Sequence, residues 1–142
     1  MIAVLNGVNL NMLGERDPAQ YGSLTLTELE TQVYAWAGER SMTARCFQTN
    51  HEGVLIDRLE QRDYDAVVIN PGAWAHTSYA IHDALIGSER PVVEVHISDV
   101  RHREPFRRTS VLEPVVAHEI IEIGRAPSEL QSHHDLVCRL LL

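Results

Sequence analysis

Lysine is missing altogether: all 12 cationic side chains of this 142-residue chain are arginine. That absence excludes imine-forming catalysis, a lysine-anchored pyridoxal phosphate and the phosphate-gripping lysine of a P-loop. Base composition of the genome explains it on the surface, and the chemical exclusion holds whatever the cause. Long apolar runs are also missing, since none nears the roughly twenty residues that cross a bilayer. The start, "MIAVLNG", has neither the basic stretch nor the cleavage site of a signal peptide. Cysteine is scarce: Cys46 and Cys138 stand far apart without CxxC or zinc-like spacing. They read as buried thiols of a reducing cytoplasm, although the two can in principle form one bridge. Positive charge is in deficit, and a net charge of -8 speaks against a general nucleic-acid or anionic-membrane binder. Neither G-x-G-x-x-G nor a P-loop follows the first apolar run, and no G-x-S-x-G elbow occurs.

What is present is ordinary for a globular protein, with 44% hydrophobic and 23% charged residues. The length suits a single domain spanning 1–142. Five apolar runs rich in branched residues predict strands at Ile2–Leu5, Ala44–Phe47, Ala66–Ile69, Pro91–Ile97 and Glu119–Ile123. Helical periodicity fills the gaps. Thr25 and Glu28 form a capping box before a stripe of Leu26, Leu29, Val33, Trp36 and Ala37, with Gly38 as the expected stop. Val54, Ile56 and Leu59 mark a second helix, Tyr79 to Leu85 a third, and Pro127 and Ser128 open a fourth running to Leu142. Apolar strands alternating with helices imply a parallel sheet covered on both faces. Five strands at this length predict an α/β, flavodoxin-like, doubly wound sheet of order 2-1-3-4-5.

Ligands of such sheets bind beyond the carboxyl ends of the strands. There the chain carries "NGVNLNMLGERDPAQYG", "QTNHEG", "NPGAWAHTS" and "HISDVRHREPFRR", crowded with Asn, His, Arg and Tyr. The opposite ends carry plainer linkers such as "QRDYD" and "GSER". His51, His76, His96 and His102 lie on different loops without metal-ligand spacing, so no metal is expected; His133 and His134 read as a solvated helix face. Metal-free acid–base work remains. In "EVHIS" the strand alternation sets Glu94 and His96 side by side, either as a buried ion pair or as an imidazole oriented by a carboxylate. Asn70 and Gly72 in "NPG" offer an amide and a tight turn, and Thr77 or Ser78 can open the next helix. "RHREPFRR" concentrates positive charge that is either solvated or turned toward an anionic ligand. "GERDPAQYG", with Gly14 and Gly22 as hinges and Pro18 between them, reads as a lid that carries Arg16 and Tyr21 together.

"LNGVNLNMLGERDPAQYG", "QTNHEGVLID", "INPGAWAHTSYAIHDAL" and "PVVEVHISDVRHREPFRRTS" resemble, in order and spacing, the type II 3-dehydroquinate dehydratases. The resemblance is collinear from Leu5 to about Ser110. It implies a metal- and cofactor-free cytoplasmic enzyme that removes water from 3-dehydroquinate to give 3-dehydroshikimate, a step used in aromatic amino acid biosynthesis and in quinate breakdown. It also implies trimers assembled into a dodecamer. By the same resemblance Tyr21 is the general base and Arg16 the arginine whose charge favours the tyrosinate. Asn9 holds a water at the enolate oxygen, His96 is the general acid, and Glu94 orients it. Asn70, His76 and Arg107 match holders of the substrate hydroxyls, Ile97 and Ser98 the carboxylate clamp, and Arg103 a lid-associated arginine. Asp83 matches a residue reaching the neighbouring subunit's site. The enolate route needs no lysine, which fits a chain without one.

The chain departs from the family pattern at Val8, Asp17, Thr49 and Asp99, and again at His118, Glu122, Pro127 and Ser128. Asp99 adds a negative charge one residue past the carboxylate clamp. It prompts the alternative of a related lyase or isomerase acting on another small hydroxy-acid; a third alternative is a non-catalytic small-molecule-binding relative.

Overall fold

Branched apolar residues open the chain and recur at intervals that leave room for a helix, and each run becomes a strand. The structure, a computed structural model, describes residues 1–121. Its strands are β1 (Ile2–Asn6), β2 (Ala44–Gln48), β3 (Ala66–Asn70), β4 (Val92–Val95) and β5 (His118–Ile120). They form one parallel sheet in the expected order β2-β1-β3-β4-β5. β1 is an interior strand, with Ile2 opposite Ala44 on one side and opposite Ala66 on the other. The connections carry α1 (Pro18–Tyr21), α2 (Leu26–Glu39), α3 (Glu52–Glu60) and α4 (Tyr79–Ser88). Among the described residues no helix is long and apolar enough to cross a membrane.

The caps explain where the helices start. At α2 the Thr25 hydroxyl accepts from the Glu28 amide at 3.2 Å, and the Glu28 carboxylate accepts from the Thr25 amide at 2.8 Å. The Thr25 backbone bond, and then its hydroxyl, hold the Glu28 carboxyl below its ordinary value. Ser78 caps α4, its hydroxyl accepting from the Ile81 amide at 3.0 Å. The expected stop at Gly38 is corrected: Gly38 lies inside α2. The left-handed residue past its end is Ser41 at φ 54°, where the Met42 amide returns to the Ala37 carbonyl at 2.8 Å. The expected helix through Val54, Ile56 and Leu59 is α3. Val54 is 43% exposed, whereas Leu55 and Leu59, four apart on one face, are fully buried.

Strand β4 ends at Val95, two residues short of the expected end. The His96 amide still donates to the Ile120 carbonyl at 2.8 Å, but Ile97 and Ser98 have left the sheet for the rim. Glu122 and Ile123 of the expected fifth strand lie outside the described residues. So do the expected last helix, Cys138, His133, His134, Pro127 and Ser128. Cys46, expected to be buried, is half-buried.

Two clusters position the site. Ala3, Leu5, Val67, Ile69 and Val92 of the sheet pack on Leu55, Leu59, Ile81, Leu85 and Leu112, none more than 2% exposed. Each such leucine or isoleucine contributes about 1.5–3 kcal/mol of burial. A smaller cluster at the carboxyl-end rim joins Leu10, Leu13, Tyr21, Leu29 and Ile97, and ties the loop after β1 to α2 and to the loop after β4.

Candidate active site

Two loops meet at the carboxyl end of β1 and β3 because glycines let their backbones touch. The Gly7 amide donates to the Asn70 carbonyl at 2.7 Å, and a Cβ on Gly7 would stand 2.5 Å from the Pro71 carbonyl oxygen. Gly72 adopts φ 62°, and a Cβ there would meet the Val8 carbonyl oxygen at 2.8 Å. This close approach carries Asn9 and Asn70 to one rim.

"GERDPAQYG" forms a single helical turn between two left-handed glycines, Gly14 at φ 88° and Gly22 at φ 68°. The Asp17 carboxylate caps it by accepting from the Ala19 amide at 3.0 Å, and Pro18 fills the first helical position. Tyr21 ends the turn at only 9% exposure, its ring held in the rim cluster. The Arg16 guanidinium lies 3.9 Å from the ring centroid. The hydroxyl is met by a different arginine: Arg103 Nη1 donates to it at 2.7 Å and to Ser98 Oγ at 3.2 Å. Two guanidinium groups thus flank one phenol, one over its ring and one at its hydroxyl.

The other wall comes from β4 and the turn after β3. His96 is 3% exposed and Glu94 fully buried. His96 Nε2 donates to Glu94 Oε1 at 2.7 Å, so Nδ1 is the ring nitrogen left for the cleft. Ser110 Oγ lies 2.9 Å from both Glu94 oxygens and holds the carboxylate from behind. His76 Nδ1 donates to the Thr109 carbonyl at 2.8 Å, which leaves its Nε2 as the free ring nitrogen. The two histidine rings stack with centroids 6.3 Å apart. Arg107 is steered by Glu104, 2.7 Å from its Nε, and lies over the Phe106 ring at 4.7 Å.

Ten of the predicted site residues line one cleft with about 50 Å³ of free space: Asn9, Arg16, Tyr21, Asn70, His76, His96, Ile97, Ser98, Arg103 and Arg107. Glu94 stands directly behind His96. Asp83 is apart, on the outer side of α4 with its side chain 80% exposed. Asp99 does not line the cleft. Its Oδ2 pairs with His102 Nδ1 at 2.5 Å, so the departure at this position adds no carboxylate to the lining. The sequence reading missed Val8, Leu10 and Val100 in the lining, and missed Ser110 and Thr109 as partners of the acidic wall. No local pattern marks them, because Ser110 lies 16 residues from Glu94 and Thr109 lies 33 from His76.

The family model described as "Dehydroquinase class II" matches residues 1–131. A 3-dehydroquinate dehydratase of Bacillus pumilus is 53% identical over 123 residues, covering 85% of this chain and 84% of its own length. A protein of Neosartorya fischeri named catabolic 3-dehydroquinase 2 is 50% identical over 125 residues, covering 87% of this chain and 83% of its own. The crystal structure of type II dehydroquinase from Butyrivibrio crossotus superposes with a TM-score of 0.89 at 39% identity. That match covers 98% of this chain and 95% of the other.

Proposed function

The chain belongs to the class II dehydroquinase family and is a hydro-lyase, and from that premise we propose how its cleft dehydrates 3-dehydroquinate to 3-dehydroshikimate. The observation that carries the reading is the opposition of two proton-handling groups: Tyr21 under Arg16 and Arg103 on one wall, His96 on Glu94 on the other. Tyr21, as the phenolate, takes the proton from the carbon beside the ketone. The released electron pair forms the enolate, whose oxygen takes a hydrogen bond from a water held by Asn9. The enolate then reforms the carbonyl as the carbon–carbon double bond is made, and the carbon–oxygen bond to the departing hydroxyl breaks. His96, doubly protonated, gives that hydroxyl its proton, and water leaves. Return of the proton from Tyr21 to His96 through solvent restores both groups.

Asn70, His76 and Arg107 hold the substrate hydroxyls, and the backbone at Ile97 and Ser98 clamps its carboxylate beside Arg103. The turn between Gly14 and Gly22, both at positive φ, swings outward to admit substrate and returns, bringing Arg16 and Tyr21 back together. The protomers form trimers, four of which make a dodecamer. An outer face of α4 exposing Tyr79 at 67% and Ile86 at 56% supports that assembly, with Asp83 beside it.

The test is the ultraviolet absorbance of the conjugated enone when purified protein meets 3-dehydroquinate without added metal. Turnover is expected, and Tyr21→Phe and His96→Ala are each expected to lower kcat by at least about 10²-fold with the melting temperature little changed. Near-normal turnover in either variant would falsify its assigned role.

A further inference from the structure

One acidic side chain beside the proton donor has no part in the scheme above. β4 and β5 pair so that Glu94 stands opposite Glu119, which puts both side chains on one face of the sheet. One carboxylate oxygen of Glu94, one of Glu119 and a ring nitrogen of His96 lie within 4.8 Å of one another. The Glu119 side chain is only 18% exposed, and its Oε2 accepts from Arg101 at 2.9 Å.

Stability does not explain a glutamate at this place. Like charges opposite one another on neighbouring strands are unfavourable, and glutamate is a poor strand former. The ion pair with Arg101 returns little, because that arginine is 59% exposed. Charge balance around His96 explains it better. Glu94 and Glu119 supply two negative charges, and Arg101 supplies one positive charge. A protonated ring brings the group to neutrality, whereas a neutral ring leaves one buried negative charge in excess. Among the described residues, the other titratable groups lining the cleft with the ring are the stacked His76, Tyr21, Arg16, Arg103 and Arg107. The cleft arginines oppose a charged ring from the front, so the second carboxylate acts against them from behind.

We propose that Glu119 is a positioning residue for the acid, its carboxylate, held by Arg101 at the β4–β5 seam, keeping the His96 ring in the protonated, donating form. The inference rests on the reading of His96 as general acid. It predicts that Glu119 acts through His96 without touching substrate, so KM stays within about twofold when Glu119 is neutralised while the pH dependence of kcat moves.

The experiment compares pH–rate profiles of the wild-type enzyme, Glu119→Gln and Arg101→Gln, alongside the NMR titration of the His96 ring, assigned by its loss in His96→Ala. In Glu119→Gln the alkaline limb of kcat and the ring titration both move to lower pH by about half a unit or more. In Arg101→Gln, which unmasks Glu119, both move the opposite way; this second variant decides the matter if Glu119→Gln folds poorly. A structural role alone shifts neither curve. The ring titration does not depend on turnover, so the two readings fail separately. A shifted titration in a protein that does not dehydrate 3-dehydroquinate overturns the functional reading. Coincident limbs and titrations in an active enzyme overturn the role of Glu119.

Discussion

Tyr21 and Cys46 show how far a single residue's chemistry can be read from its neighbours in sequence. Arg16, five positions before Tyr21, is close in sequence and does lie on its ring. Arg103, 82 positions away, is the one that reaches the hydroxyl, and nothing local to either residue announces that contact. The His96–Glu94 bond was legible because strand alternation puts residues two apart on one face. Cys46 illustrates the opposite case, in which spacing excludes a metal site but says nothing of reactivity. Burial pushes its thiol up to about 11, with the Tyr34 hydroxyl only partly opposing the shift. A raised value keeps the thiol protonated, and so unreactive, at neutral pH. With Cys138→Ser removing the second thiol, Ellman's reagent at pH 8 is expected to label Cys46 about 100-fold more slowly in the folded protein than in denaturant. Equal rates in the two states would show that the fold does not protect it.

At the scale of elements, the capping box of α2 and the order of strands follow from local chemistry and were read correctly, while the ends of elements were not. Gly38 looked like a helix stop because glycine favours left-handed backbone, but Ser41 takes that conformation and Gly38 stays helical. Its surroundings are open, with nothing within 4 Å of an added Cβ. Gly38→Ala is therefore expected to stabilise the protein by about 0.5–1 kcal/mol, seen as a rise of a few degrees in melting temperature. Gly7→Ala is the informative contrast. Its Cβ would strike the Pro71 backbone at 2.5 Å, so the two rim loops must separate. A loss of about 1–3 kcal/mol is expected, together with a rise in KM as Asn9 and Asn70 move apart. Unchanged melting and kinetics would mean that the loops need no close contact. The sequence singled out Gly38 and gave no sign of Gly7, because what makes Gly7 necessary is the Pro71 backbone that it faces.

For the whole molecule, the surface of α4 and the isolation of Asp83 are the features that a lone protomer leaves without purpose. The groove between α3 and α4, about 380 Å³ in volume, is lined by Ile56, Leu59, Ala80, Ala84 and Asp83. Light scattering is expected to read a particle of twelve times the 16.0 kDa chain mass, and Ile86→Arg on the exposed face of α4 to reduce it to smaller species. A wild-type monomer at micromolar concentration would remove the assembly reading, while the chemistry of the cleft would stand. Sequence alone determined the parallel sheet, its strand order, the rim on which polar residues gather and the family. Those follow from hydrophobic periodicity, from the rule that parallel strands need crossovers, and from motifs read along the chain. Tertiary structure decided which arginine reaches Tyr21, that Ser110 backs Glu94, that Asp99 turns to His102, and that Glu119 stands beside His96. Apart from the Asp99–His102 pair, which lies within one turn, each of these is a contact between segments distant in sequence, fixed by strand register and loop packing, and side-chain charge at short range acts through distance in space and not along the chain.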